Sequence, residues 1–205
     1  MGVACEQNFQ EARGVIAHGK LKLVMLGLDD SGKTSLLYSL KQGRKGAGSP
    51  RAERQDDESE PSSSSFKLCA PPPTTSPQTK TVKLEGLTFL ISDVPGRKSF
   101  RDVWFEKIRK AEAVLFVVDS TDLLRLPIVE EELLRIRKAF VTMPILVLAT
   151  KQDIGESLSS EEISTRLNLQ GCDSPLGKEC TFVDQCSATD PKSVENALLK
   201  FARRP

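Results

Sequence analysis

The chain has 205 residues, of which 39% are apolar and 28% charged, a composition typical of one globular domain with a sizeable core. Its 29 Lys and Arg residues balance 28 Asp and Glu residues, so the net charge of +1 argues against a nucleic-acid partner. A single histidine, His18, excludes multi-histidine metal centres. The five cysteines form no C-x-x-C pair, which favours a reduced cytoplasmic chain over a disulfide framework.

The first predicted elements are a strand at 21–26 and a helix at 33–40, joined by a glycine-rich loop. The loop, GLDDSGKT, matches G-x-x-x-x-G-K-[ST], in which backbone amides and a helix N-terminus hold phosphates. Lys33 supplies a mobile cation for the β- and γ-phosphates, and the Thr34 hydroxyl can bind Mg²⁺. A glycine turn that only packs strand against helix is the alternative, and it leaves these two residues unexplained. The nucleotide-binding residues predicted here are Gly27, Asp29, Asp30, Ser31, Gly32, Lys33, Thr34 and Ser35.

Residues from about 42 to 80 form a low-complexity segment. It contains SSSS, PPP and the acidic run DDESE, with several glycines and few apolar residues. Such a segment cannot bury enough apolar surface to offset the entropy lost on ordering, so we expect most of it to be disordered. The proline run at 71–73 suits a polyproline II docking site, although a tolerated surface insertion is the simpler interpretation.

The next apolar run, LTFLIS at 87–92, predicts a strand that ends at Asp93. A carboxylate that leaves a parallel strand at its carboxyl end lies near the phosphate loop, where it can hold Mg²⁺ through a water. Gly96 can present its backbone N–H to a γ-phosphate. The D-x-x-G pattern alone usually marks a turn, but after a phosphate loop it predicts the second half of the same site.

Two further runs, AVLFVVD at 113–119 and ILVLA at 145–149, are almost continuously apolar, as in strands buried on both faces. A last short strand is predicted at 181–184, and Asp190 followed by Pro191 starts the final helix. Two helical faces are predicted by Phe100, Val103, Trp104 and Ile108, and by Ile128 or Val129, Leu133, Ile136 and Phe140. The alternation predicts an α/β fold whose mainly parallel sheet is covered on both faces.

Polar residues after the last two predicted strands indicate a site for a base. Asp153 can accept hydrogen bonds from guanine N1–H and the N2 amino group, a donor pair that adenine lacks, so a buried carboxylate here selects guanine. The Lys151 stem, next to Thr150, can cover the base plane. Each motif alone is more simply a helix cap or a surface loop. Backbone N–H groups for guanine O6 are expected from Ser187, Ala188 and Thr189.

Taken in order, these passages resemble a small GTPase of the Ras superfamily, specifically its Arf/Sar (ADP-ribosylation factor-like) group. The similar passages are GLDDSGKTSLL at 27–37, LTFLISDVPG at 87–96, AVLFVVDSTDLLRL at 113–126 and ILVLATKQDI at 145–154, with Trp104 after the second switch. The resemblance covers 20–205 as one GTPase domain, apart from the insert. It implies a P-loop NTPase three-layer fold with a six-stranded, mainly parallel sheet and five helices.

The resemblance also implies ligands and partners. GTP or GDP is expected as the nucleotide, with Mg²⁺. Effector, exchange-factor and activating proteins are expected as partners in intracellular signalling or membrane trafficking, and the chain is expected to be a monomer. Thr74 falls where the family has the first-switch threonine that closes on Mg²⁺, which makes Thr34, Thr74 and Asp93 the expected metal site. Thr75 or another threonine of this stretch is the alternative.

Two departures from the family pattern bear on activity. Thr150 stands where the family usually has asparagine, but Rho-type GTPases share this threonine, so guanine binding should survive. Arg97 stands where the family has the glutamine that orients the attacking water. Because arginine cannot accept a hydrogen bond from water, we expect slow intrinsic hydrolysis and assign no catalytic residue. Pro95, in place of a glycine, is expected to stiffen the second switch.

Residues 1–19 are expected to be a separate N-terminal segment, with a thin apolar stripe for an amphipathic helix on an intracellular membrane. Gly2 is available for myristoylation, although Glu6 stands where Ser or Thr is preferred. The final FARRP lacks the cysteine of a prenyl anchor. The stripe consists of Phe9, Ala12 and Ile16.

Two other functions compete with that of a GTPase switch. A nucleotide-binding scaffold that never turns over GTP is suggested by Arg97. A P-loop nucleoside or nucleotide kinase would share the loop at 27–34, but it has no need for Asp93-x-x-Gly96 or for guanine selection by Asp153.

Overall fold

The fold is built on a six-stranded sheet with the strand order β2-β3-β1-β4-β5-β6. The computed structural model describes residues 19–42, 74, 76–169 and 181–203. Only the β2–β3 pair is antiparallel, so the prediction of a six-stranded, mainly parallel sheet is confirmed. The strands are β1 (Lys20–Leu26), β2 (Gln78–Leu84), β3 (Leu87–Asp93), β4 (Ala113–Asp119), β5 (Ile145–Thr150) and β6 (Thr181–Gln185).

Five α-helices in the described residues cover the two faces of the sheet. Helices α1 and α5 pack on one face, where Leu36, Leu37 and Leu198 join a buried cluster. The other three helices pack on the opposite face, around the fully buried Trp104. This three-layer arrangement agrees with the predicted fold. The helices are α1 (Lys33–Gln42), α2 (Asp102–Ile108), α3 (Leu126–Ala139), α4 (Ser160–Arg166) and α5 (Pro191–Ala202).

The predicted apolar faces are mostly confirmed, with one error. Of the two alternatives predicted for α3, Val129 is buried at 4% exposure, whereas Ile128 is 39% exposed. Phe100 is not on the helical face to which it was assigned, because it belongs to a short 3₁₀ turn, Lys98–Phe100, and is 37% exposed. Helix α2 begins only at Asp102, so Phe100 and the buried Trp104 do not share one regular helix.

Strand β2 corrects the predicted low-complexity range of about 42–80. The prediction places residues 78–80 in that segment, but these residues pair with β3, beginning with Gln78 opposite Asp93. The strand was missed because only Val82 and Leu84 of its residues are buried. Glu85 and Gly86 both have positive φ, 44° and 83°, as a two-residue type I′ hairpin turn requires.

Several predictions lie outside the described residues. These are the N-terminal stripe and Gly2, the segment 43–73, Thr75, His18 and four of the five cysteines. The fifth, Cys186, is buried, and burial raises the pKa of its thiol to about 12, so it is an unreactive core residue. Across the described ranges, none of the helices combines the length and the apolar character needed to cross a membrane.

Candidate functional site

The candidate site lies where the parallel strands end. Strands β1, β3, β4, β5 and β6 run in the same direction, so their carboxyl ends meet at one edge of the sheet. Most predicted site residues in the described ranges lie at a strand end, in the loop that follows it or in the first turn of the next helix, whereas Thr74 precedes β2. Open α/β sheets bind ligands at this edge, because helix N-termini and loop amides converge there.

The phosphate loop, residues 27–34, connects β1 to α1 and presents unpaired backbone donors. Gly27 (φ 142°) is required because a Cβ here would lie 2.3 Å from the Val117 carbonyl oxygen. Asp30 adopts a left-handed conformation at φ 59°, which turns the loop toward the helix. Among the described residues, the amides of residues 32–35 have no hydrogen-bond acceptor. A loop with unpaired amides at a helix N-terminus fits an anionic group such as phosphate.

Lys33 is folded back into this loop. Its Nζ donates to the carbonyl oxygens of Leu28 (2.5 Å) and Gly27 (2.9 Å), and the residue is only 6% exposed. Burial lowers the pKa of Lys33 to about 8, despite the attraction of Asp93 and Asp29. A buried ammonium group beside unpaired amides can stabilise the negative charge of a phosphate.

Three oxygen-bearing side chains from distant parts of the chain meet beside the phosphate loop. The Thr34 hydroxyl lies 2.8 Å from Asp93 Oδ2 and 2.7 Å from the Thr74 hydroxyl, which is itself 3.4 Å from Asp93 Oδ2. Asp93 is 1% exposed, and no described residue donates a hydrogen bond to its Oδ1. An unpartnered buried carboxylate oxygen beside two hydroxyls fits Mg²⁺, which prefers oxygen ligands.

The loop at 93–97 packs directly on the phosphate loop. A Cβ on Gly96 would lie 2.4 Å from the Leu28 carbonyl carbon and 2.5 Å from the Asp29 nitrogen, so only glycine fits this approach. Trp104 Nε1 donates to the Pro95 carbonyl at 3.0 Å. Arg97 is exposed, and its carbonyl accepts a hydrogen bond from Phe100 in the following turn. The D-x-x-G segment therefore meets the phosphate loop, as predicted.

Thr150 joins the base end of the site to the phosphate end. Its hydroxyl lies 2.9 Å from the Ser31 carbonyl oxygen and 3.0 Å from that of Val118, and the residue is 2% exposed. A threonine can therefore tie the end of β5 to the phosphate loop with a single donor.

Lys151 is held by a carboxylate that sequence reasoning missed. Its Nζ contacts Asp119 Oδ2 at 2.5 Å, at the end of β4. Burial raises the pKa of Asp119, but hydrogen bonds from Lys151 and Thr121 outweigh this effect and hold the pKa below its ordinary value. The ion pair anchors the tip of the Lys151 side chain and leaves its aliphatic stem to lie along a ligand. The sequence signal that could have identified Asp119 is its position at the end of a continuously apolar strand.

The environment of Asp153 differs from the predicted one. Its side chain is exposed rather than buried, and Oδ1 accepts a hydrogen bond from Ser187 Oγ at 2.5 Å. Two of the three amides predicted for guanine O6 already have acceptors: the Ser187 amide donates to Ser193 Oγ and the Thr189 amide to Ser187 Oγ. Among the described residues, only Ala188 of the three keeps an amide without an acceptor.

Arg125 is a second residue that sequence reasoning missed. Its Nη1 donates to the Asp29 carbonyl at 3.1 Å and lies 3.5 Å from Asp29 Oδ2, while Nε pairs with Asp122. The side chain thus links the turn after β4 to the phosphate loop. An arginine in a strand-following loop gave no local signal for this contact.

Comparison with known proteins identifies the family. A family model described as the ADP-ribosylation factor family matches residues 9–69 and 64–204. ADP-ribosylation factor-like protein alp41 of Schizosaccharomyces pombe is 36% identical over 152 residues, which cover 73% of this chain and 69% of that protein. ADP-ribosylation factor-like protein 4D of Mus musculus is 33% identical over 186 residues, or 87% and 79% of the two chains.

Solved structures support the same fold. The Arl6 BBS3 small GTPase from Trypanosoma brucei, with the bound nucleotide analogue GppNp, superimposes with a TM-score of 0.63 at 24% identity, over 89% of this chain and 95% of that chain. The structure of the mammalian SRP receptor superimposes with a TM-score of 0.65 at 22% identity, over 88% of this chain and 99% of that chain. This chain belongs to the ADP-ribosylation factor family of small GTPases, whose members bind GTP and GDP with Mg²⁺.

Proposed function

We propose that this chain is a GTP/GDP switch that binds effector proteins in its GTP state and hydrolyses GTP slowly. The convergence of Thr34, Thr74 and Asp93 carries the proposal, because Thr74 belongs to the first-switch stretch and the other two residues to the phosphate site. Bound Mg²⁺ would neutralise phosphate charge at these oxygens. A first switch that reaches the phosphate site through Thr74 can respond to the presence of a γ-phosphate.

Slow hydrolysis follows from the side chain at position 97. Arg97 follows Gly96, whose backbone packs on the phosphate loop, so its side chain starts beside the expected γ-phosphate position. A guanidinium group only donates hydrogen bonds, and it cannot orient a water molecule by accepting its proton. Pro95 restricts the backbone of the same loop, which limits its rearrangement.

A single-turnover assay tests the proposal. Full-length protein is loaded with GTP and Mg²⁺, and phosphate release is followed without any partner protein. We expect a rate no faster than about 10⁻⁴ s⁻¹, the order of a small GTPase without its activating protein. In a separate sample that has not been loaded, the nucleotide that co-purifies with the protein is released by denaturation and separated by chromatography, which identifies its base.

Three outcomes would contradict parts of the proposal. Rapid phosphate release would exclude a slow switch. A bound adenine nucleotide would exclude guanine selection by Asp153. Partner binding that is the same with GTP and GDP would favour the second candidate, a non-hydrolysing nucleotide-binding scaffold, which Arg97 also supports.

Peripheral membrane contact through residues 1–19, with lipidation of Gly2, belongs to the proposal as well. An unchanged membrane fraction in a Gly2→Ala variant would contradict lipidation of Gly2.

Nucleotide affinity should depend on pH through Lys33. Its pKa of about 8 in the nucleotide-free protein means that phosphate binding, which favours the ammonium form, takes up protons near this pH. Affinity for GDP should therefore fall roughly fourfold between pH 7 and 8.5, as the ammonium form becomes less populated. Titration of a fluorescent GDP analogue at constant ionic strength measures this change.

The stability of the nucleotide-free protein should show the opposite trend. The unfolded chain keeps Lys33 protonated up to its ordinary pKa of 10.5, so it binds more protons than the folded chain above pH 8. Lys33 therefore makes folding stability rise with pH across this interval while affinity falls. Calorimetry of nucleotide binding in two buffers of different ionisation enthalpy measures the proton uptake that links Lys33 to affinity. The absence of proton uptake on binding at pH 8 would contradict this link.

A further inference from the structure

The position of the 93–97 loop depends on two side chains that follow it in sequence. Trp104 Nε1 donates to the Pro95 carbonyl at 3.0 Å, and Arg101 Nε donates to the Gly96 carbonyl at 3.3 Å. In a trans peptide the N–H points opposite to the C=O, and the described residues contain no cis peptide. The N–H groups of Gly96 and Arg97 therefore point away from Trp104 and Arg101. Both carbonyls must stay bonded for these amides to keep their direction.

Trp104 and Arg101 are held in different ways. The indole is fully buried and packs edge-to-face on Phe116, with the ring centroids 6.0 Å apart, so the core holds it. The long Arg101 side chain has several rotatable bonds. Its Cζ lies 5.8 Å from the centroid of the Trp104 ring, and this contact supports only one side of the guanidinium group. Its direction depends on what binds the far end of the guanidinium group.

That partner is Glu132 on helix α3. Arg101 Nη1 lies 3.0 Å from Glu132 Oε1, and the two side chains are only 11% and 8% exposed. The other carboxylate oxygen contacts Arg135 Nη1, also at 3.0 Å, but Arg135 is 49% exposed. A nearly buried ion pair of this kind keeps its geometry, because separation would leave each charge desolvated without a partner.

We propose that Arg101 and Glu132 form a positioning pair that couples the 93–97 loop to helix α3 and selectively stabilises the GTP-bound state. The inference rests on the proposed GTP/GDP switch. Glu132 orients the guanidinium, Arg101 holds the Gly96 carbonyl, and the neighbouring amides remain directed toward a γ-phosphate. GDP has no such group, so loss of the pair affects its retention far less.

Dissociation rates of two fluorescent nucleotides test the pair. A non-hydrolysable GTP analogue and GDP are each displaced from the full chain by excess unlabelled nucleotide in Mg²⁺. In Glu132→Gln the amide oxygen can still accept from Arg101 but carries no charge, so it holds the guanidinium less firmly. We expect the analogue to leave about tenfold faster and GDP to leave less than about threefold faster. Arg135→Gln is the matched control, since it removes the exposed partner of the same carboxylate, and both rates should stay within about twofold of wild type.

A double variant separates positioning from folding. Arg101→Met combined with Glu132→Met replaces the buried pair by apolar side chains of similar length, which commonly preserves stability. The folded double variant should still lose the analogue selectively, because the Gly96 carbonyl has no donor. Unchanged relative rates in Glu132→Gln and in the double variant would overturn the inference, as would an equal effect of Arg135→Gln. If wild type itself fails to bind guanine nucleotides, the proposed function fails instead, so the two failures are distinct.

Discussion

Replacement of Asp153 by Asn should lower the affinity for GTP and GDP by about 10²- to 10⁴-fold. Each of the two hydrogen bonds between the charged carboxylate and guanine is worth about 1.5–3 kcal/mol, and Asn weakens one of them and abolishes the other. Asn can still accept from N1–H, but its amide now faces the N2 amino group as a second donor. Xanthine carries a carbonyl oxygen at this position, so xanthosine diphosphate should bind the variant better than GDP. Competition between the two nucleotides for the loaded protein measures this reversal.

Asp190→Asn is the matched control for this variant. Asp190 caps α5 by accepting from the Lys192 amide at 3.1 Å, close to the Ser187–Thr189 loop, and Asn serves equally well as an N-cap. The control removes one nearby carboxylate charge and should leave GDP affinity within about twofold of wild type. Unchanged GTP binding in Asp153→Asn would show that this carboxylate does not read the base, and it would revive a P-loop kinase without guanine selection.

Replacement of Arg97 by Gln should raise the intrinsic rate of GTP hydrolysis by on the order of 10- to 100-fold. Gln can both accept a hydrogen bond from the attacking water and donate one to the phosphate, whereas Arg can only donate. Positioned groups of this kind typically contribute two or more orders of magnitude, and the rigid Pro95 next to Gly96 is expected to limit the gain here. Single-turnover phosphate release from the GTP-loaded variant measures the change.

Arg97→Leu distinguishes the new acceptor from the lost charge. Leucine removes the guanidinium group without offering an acceptor for water, so this variant should hydrolyse GTP as slowly as wild type or more slowly. A second variant, Pro95→Gly with Arg97→Gln, tests the stiffness of the loop and should be faster than Arg97→Gln alone. If Arg97→Leu and Arg97→Gln proved equally fast, inhibition by the positive charge would replace the missing acceptor as the explanation.

Local sequence patterns predicted most of the fold, because the residues concerned carry their structural signal within a short window. Strand β4 is buried along its whole length, and its apolar run predicted it without error. Strand β2 carries a weaker signal, since it is an edge strand with five of seven residues not buried. Its Glu85-Gly86 turn between two runs of alternating character was the available clue.

Residues of the candidate site could be predicted from the sequence only where a motif requires one residue type at one position. Lys33 and Thr34 are named by their place after the glycines of the phosphate loop, and the structure brings them to the loop and to Asp93 as expected. The exposed position of Asp153 was not predictable, because burial of a loop side chain depends on neighbouring loops. The acceptors of the Ser187 and Thr189 amides likewise come from side chains within their own loop, Ser193 and Ser187.

The phosphate loop, the buried strands and the helices that cover them follow from local patterns in the amino-acid sequence, because periodicity and glycine spacing are local properties. Which of the polar residues meet depends on how the elements assemble in three dimensions. Thr34 contacts Asp93 across 59 positions, Arg101 contacts Glu132 across 31, and Thr150 contacts Ser31 across 119. These contacts follow from the strand order, which places loops that are distant in sequence at one edge of the sheet. No local pattern records that order, so the pairs that couple the site to the rest of the domain appear only once the sheet is assembled.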